Sequence, residues 1–324
     1  MKIKRGDIYY IELYLEPGKI SDHNKRSNGT LSFTGVELID AIVSAGMPDT
    51  YLNKVNKRNR KEEIYFKIKL FETYVALLPN GELLFDPARK VYLDSTEIGA
   101  INYWIGMILI TVLGKKKYGY EYMVHLSMVS NFSSHISIKK HPFLSSNGKT
   151  TYKSPDLIAI SNSGGYYGVF ESKGYTSYAS KAMERGYIQA KSIDEINGKT
   201  PKDSLVVLTA TGKKIEITEK DPEGGTAQIK VNLSFLQIYH YLPIVELIME
   251  LRPEEQKNWT FGSLVYEREK YSIGIPTALY EELLPIAEGK EEKLLELLEK
   301  IYSKETYLLD IVPDEARQHV LYVK

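Results

Sequence analysis

Ser154-Pro-Asp-Leu-Ile-Ala-Ile-Ser-Asn-Ser-Gly-Gly-Tyr-Tyr-Gly-Val-Phe-Glu-Ser-Lys-Gly174 is the stretch on which the reading of the fold turns. Asp156 to Ile160 is a short apolar run that starts just after Pro155. Ser161 to Gly165 supply a turn, because Asn and Gly tolerate positive φ. Tyr166 to Lys173 is a second run, rich in aromatic and β-branched residues, closed by Gly174. The pattern predicts a hairpin. Side chains alternate along a strand, so Glu171 and Lys173 share one face with Tyr167 and Val169, and Tyr166, Phe170 and Ser172 take the other. Both faces are largely apolar, which predicts a central strand covered on both sides. A carboxylate and an ammonium at the end of such a strand are costly unless something uses them. Asp156, at the start of the paired strand, brings a second carboxylate within reach. Two carboxylates suit a hard cation, and a lysine beside them can hold a hydroxide or a phosphate oxygen.

Pro155-Asp156 followed by Glu171-Ser172-Lys173 resembles the motif of the PD-(D/E)XK nuclease superfamily, the restriction-endonuclease-like fold. Glu-x-Lys also occurs at Glu255–Lys257, Glu288–Lys290 and Glu291–Lys293, all in charged stretches that read as helix or loop. Pro-Asp recurs at Pro48-Asp49 and Pro313-Asp314 with no strand-borne Glu-x-Lys after it. The resemblance implies that Asp156 and Glu171 bind Mg²⁺ (or Mn²⁺), with the Ser172 carbonyl as a further ligand, and that Lys173 positions the attacking water. It implies a DNA substrate, with RNA as the alternative, in restriction, phage defence or repair. A catalytically inactive nucleic-acid-binding or scaffold subunit is the alternative on the same fold. A Glu171–Lys173 ion pair in a purely structural protein is the bland reading.

The family core runs helix, three strands, helix, strand, and the chain offers that order. The apolar stretch 96–113 is read as a buried core helix; it is short for a membrane span and contains Asn102. Strands follow at about 120–129 and in the hairpin, with an irregular polar insert at 130–153. A helix over about 179–196 and a strand over 204–211 complete the set. Family members often carry an acidic residue on the first helix, for which Glu97 is the candidate metal ligand; Asp94 and Glu97 also have the spacing of a capping box. Members often carry a glutamine on the second helix. Gln189 stands there, either as a partner of water or phosphate in catalysis or as an exposed helical side chain.

The expected architecture is therefore α/β: a restriction-endonuclease-like core over 91–235, its mixed central sheet flanked by helices, with an N-terminal α+β unit over 1–90 and a mostly helical C-terminal extension over 236–324. In the N-terminal unit, strands are expected at 7–15 and 64–78, a helix at 36–45, and a hairpin turn at Asn80-Gly81 before Leu83 to Phe85. Beyond the core, Lys214 to Lys220 and Ala227 to Leu233 read as a hairpin. Residues 234–251 read as a helix that Pro243 starts or kinks. Residues 278–303 read as an amphipathic helical pair that offers a homodimer or partner surface.

The 324 residues carry 42 basic and 42 acidic side chains, so a polyanion must be held by local patches rather than by bulk charge. The densest are Lys54 to Lys61, with Lys57, Arg58 and Arg60 as candidate nucleic-acid contacts, and Lys115, Lys116 and Lys117 after the first core helix. Lys139-Lys140 is a third. Cysteine is absent, which excludes disulfides, thiolate zinc sites and a cysteine nucleophile. There is no Gly-rich phosphate loop, no Gly-x-Ser-x-Gly, and no paired zinc-ligand spacing among the six histidines. The N-terminus lacks the apolar core of a signal peptide, so a cytoplasmic location and no membrane contact are expected.

Overall fold

The computed structural model describes residues 1–16, 25–45, 60–126, 137–138, 142–144, 150–152, 154–161, 166–193, 195–196, 200–221, 228–230, 233–304 and 322–323. The main elements in chain order are β1 (Ile8–Leu15), β2 (Arg26–Thr34), α1 (Gly35–Ser44), α2 (Arg60–Tyr74), β3 (Val75–Leu77), β4 (Leu83–Phe85), α3 (Ser95–Lys116), β5 (Tyr122–His125), β6 (Leu157–Ile160), β7 (Tyr167–Tyr175), α4 (Ser180–Ala190), β8 (Asp203–Thr211), β9 (Ile215–Lys220), α5 (Leu233–Glu250), β10 (Trp259–Tyr266), β11 (Glu269–Pro276), α6 (Thr277–Ala287) and α7 (Glu291–Lys304).

Seven strands form one mixed sheet in the order β2-β1-β9-β8-β7-β6-β5. β5, β6 and β7 are antiparallel neighbours, and β8 returns parallel to β7 after the crossover helix α4. The expected order of helix, three strands, helix and strand is thus present over 95–211. The hairpin register pairs Tyr167 with Ile160 and Phe170 with Leu157. Its turn residues 162–165 lie outside the described residues. β7 is central and buried through Ser172, as its apolar faces require. α3 packs on the face of Phe170 and Ser172, where a Cβ on Gly106 would meet the Ser172 hydroxyl at 3.2 Å. α4 packs on the face of Val169 and Glu171, where Gly186 lies against Val206 and Glu171.

α3 begins with the capping box read in the sequence: the Asp94 side chain accepts from the Thr96 and Glu97 amides, and Glu97 accepts from the Asp94 amide. Its length and apolar composition would suffice to cross a membrane, but 67% of its most apolar window is buried inside the fold. It is the core helix, as expected.

Four expectations change. The N-terminal unit shares the central sheet: β1 pairs parallel with β9 and antiparallel with β2, and one hydrophobic cluster runs from Ile3 to Leu297. Most of 64–78 is helix. Ile64, Phe66, Ile68 and Leu70 alternate like a strand, yet Ile64, Ile68 and Phe71 also recur at helical spacing, and tertiary packing selects that face; Phe66 is left 54% exposed. The Asn80-Gly81 turn does join β3 to β4, with Gly81 at φ 84. Gln228–Lys230, in the second half of the expected 214–233 hairpin, pairs with Glu195–Ile196 and Ser137–Ile138, and β9 pairs with β1 and β8 instead. The C-terminal region contains a β10–β11 hairpin between its helices, with Tyr271, Ile273 and Ile275 buried in alternation. α5 runs through Pro243, and α6 and α7 divide at Gly289 as expected.

Candidate active site

The site lies where β6 begins and β7 ends. Pro155 and Asp156 precede Leu157, and the Asp156 carboxylate turns back to accept the Ser172 amide at 2.8 Å. That bond ties the first acidic residue to the strand that carries the second. Glu171 is fully buried on the α4 face of β7. The Lys173 ammonium, two residues on and on the same face, donates to Glu171 Oε1. It also donates to Gln189 Oε1 at 3.0 Å, while Gln189 Nε2 donates to the Ser154 carbonyl at 3.1 Å. Asp156, Glu171, Lys173 and Gln189 therefore form one connected cluster. Gln189 is a half-buried member of it rather than a solvated helical side chain.

Small residues permit this closeness. A Cβ on Gly186 would lie 2.3 Å from Val206 Cγ2 and 3.5 Å from Glu171 Cγ. A Cβ on Gly174 would lie 2.1 Å from the Asn102 carbonyl oxygen, so glycine lets α3 touch the strand right after Lys173.

Burial pushes the Glu171 carboxyl up to about 8, the Asp156 charge pushes in the same direction, and Lys173 together with the Asp156 backbone amide offsets only part of it. One oxygen, Oε2, is buried with no hydrogen-bond partner. An orphaned carboxylate oxygen beside a second carboxylate fits a hard cation, which takes oxygen ligands and repays their desolvation. Among the described residues no three His, Cys, Asp or Glu side chains converge, so a cation held here would need further ligands such as the Ser172 carbonyl and water. The Tyr103 hydroxyl is pushed up to about 12 by burial and then by Asp156 and Glu171, which sets this α3 residue beside the pair. Nothing in the sequence marks Tyr103, since an aromatic in an apolar helix is ordinarily packing.

The other expected site residues stand elsewhere. Glu97 is the closing residue of the α3 capping box, exposed, and about 9 Å along the helix axis from Tyr103 by the rise per residue. Its carboxylate is engaged in the helix cap rather than in the Asp156–Glu171–Lys173–Gln189 cluster. Arg60 is fully buried and ion-paired to Glu63 at 2.8 Å, so it cannot meet a nucleic-acid backbone. Lys57, Arg58 and Lys139-Lys140 lie outside the described residues. Lys115 faces Asp40 at 2.8 Å, Lys116 faces Glu37 at 2.6 Å, and Lys117 faces buried Glu219 at 2.5 Å. This cluster is compensated by carboxylates of α1 and β9 and works as a clamp between elements. No protein-family model, curated protein or solved structure matches the chain. Fold and site together describe a mixed α/β protein, its central sheet flanked by helices, with an Asp–Glu–Lys–Gln cluster at one end of the sheet in which Glu171 is buried and the other three are half-buried.

Proposed function

We propose that the chain is a metal-dependent phosphodiesterase of the restriction-endonuclease-like type, acting on nucleic acid, with DNA as the first substrate to test. The observation that carries the reading is the orphaned, buried Oε2 of Glu171 beside Asp156, with Lys173 held at the same point by Gln189. The arrangement of three antiparallel strands, a crossover helix and a parallel strand supports it. Asp156, Glu171 and the Ser172 carbonyl would hold Mg²⁺ or Mn²⁺. Bound there, the cation supplies Lewis-acid chemistry to a phosphate ester. The chain's own residues do the rest. Lys173 moves from Glu171 toward the phosphate, orients the attacking water and offsets negative charge as it develops. Gln189 restrains the ammonium, because it accepts from Lys173 while donating to the Ser154 carbonyl.

A second reading keeps the fold and drops the chemistry. It is favoured by the Lys173–Glu171 ion pair, which must open before the lysine can act. Plasmid and linear DNA incubated with the purified chain in Mg²⁺ or EDTA separate the two. Cleavage in Mg²⁺ alone supports hydrolysis; intact DNA in both, and intact RNA in the same assay, refutes it.

A further inference from the structure

We propose that the outer ridge of α4, running Lys181, Arg185, Gln189, is the track along which a nucleic-acid backbone reaches Lys173. This rests on the phosphodiesterase reading and names the surface that seats its substrate. The three residues are spaced i, i+4, i+8, so they line one side of the helix about 6 Å apart along its axis. The inner face of α4 is Ala182, Met183, Gly186, Tyr187 and Ala190, and it packs over Val206, Leu208 and Ala210. The ridge is therefore free of core duty at its outer end.

Lys181 and Arg185 are exposed. Neither forms an ion pair among the described residues, and Arg185 donates only to the Tyr175 hydroxyl, at 3.2 Å. Tyr175 stands two residues beyond Lys173 on β7, so the guanidinium lies at the rim of the candidate site. Glu184 sits on the other flank, where its charge acts on Tyr178. An unpaired lysine and arginine on a helix are ordinary solvated surface unless something aims them. Here the third member of the ridge is hydrogen-bonded to Lys173 itself. In a chain of zero net charge, and with Lys115, Lys116 and Lys117 already facing carboxylates, uncompensated cations leading into the acid pair are what a polyanion would find. Phosphate oxygens meet Lys181 first, then the Arg185 fork, then Lys173.

The test is the binding of labelled duplex DNA, single-stranded DNA and RNA oligonucleotides in EDTA at several salt concentrations, for wild type and Lys181→Ala/Arg185→Ala. Two lost phosphate contacts should weaken binding roughly tenfold at low salt and flatten the log–log salt slope by about 1 to 2. The double exchange Lys181→Arg/Arg185→Lys should keep the slope, and calorimetric Mg²⁺ affinity and thermal midpoint should be unchanged in both variants. Wild-type affinity and slope in the double alanine variant would overturn the track, as would a wild-type chain that binds none of the three polymers. A flattened slope in a chain that cuts nothing in Mg²⁺ would leave the track standing and remove the hydrolytic reading. Cleavage with an unchanged slope in the double alanine variant would do the reverse.

Discussion

Glu171 is held in two opposing ways, buried beside Asp156 and in contact with Lys173, and burial wins: its carboxyl is pushed up to about 8. The fold thus favours the protonated form. Its stabilising contribution is complete below the ordinary carboxylate range and is lost as pH rises toward about 8, by roughly 1.4 kcal/mol for each pH unit crossed. Metal-free protein should therefore melt at lower temperature at pH 9 than at pH 5, and Glu171→Gln should flatten that part of the profile. Mg²⁺ needs the carboxylate, so its affinity should climb up to about pH 8 and binding should release a proton. Calorimetry in two buffers of different ionisation enthalpy checks this; proton-free, pH-independent binding would move the metal off Glu171. At this scale the sequence is informative where alternation is strict. Asp156, Glu171 and Lys173 could be read because a strand leaves little choice of face. The Glu97 cap was legible from its spacing to Asp94, whereas Arg60 was not, because a buried, paired guanidinium looks in sequence like a surface cation.

Elements determine whether the cluster closes. α4 comes near enough for Gln189 to reach Lys173 because Gly186 presents no side chain to Val206. Gly186→Ala adds good helix propensity but places a Cβ 2.3 Å from Val206 Cγ2, so Val206 or the helix must shift. The variant should remain folded, lose about 1 to 3 kcal/mol of stability by overpacking, and lose activity more than tenfold as Lys173 loses its partner. Denaturant unfolding and cleavage rates measure both; unchanged activity would mean that the α4 position is not needed. The hairpin, α3 and its cap, and the α3-to-β8 order were legible because apolar runs of distinct length fixed them. α2 was not, since an alternating run that also fits helical spacing is settled only by what packs on it, here α1, α3 and α5. The β10–β11 hairpin carried a readable alternation at Tyr271, Ile273 and Ile275 between two charged segments.

The whole molecule is built around one sheet that the first 45 residues complete. β1 adds parallel to β9, a pairing about 200 residues apart in sequence that no local pattern announces, and α1 is clamped to α3 by Lys115 and Lys116. A 91–235 fragment, which lacks β1 and α1, should therefore expose an edge of β9, lose the cover of α3 and be unable to fold alone. A cooperative thermal transition in a 91–235 fragment would contradict this. The central claim is that Lys173 acts on the scissile phosphate while Asp156 and Glu171 hold the cation. The measurement that tests it most directly is plasmid cleavage by wild type and Lys173→Ala in Mg²⁺ and in EDTA, with calorimetric Mg²⁺ binding on the same preparations. The expected result is cleavage by wild type in Mg²⁺ only, and no cleavage by Lys173→Ala, which stays folded and still binds Mg²⁺. Wild-type cutting by Lys173→Ala, or no cutting by the wild-type chain in Mg²⁺, would contradict it.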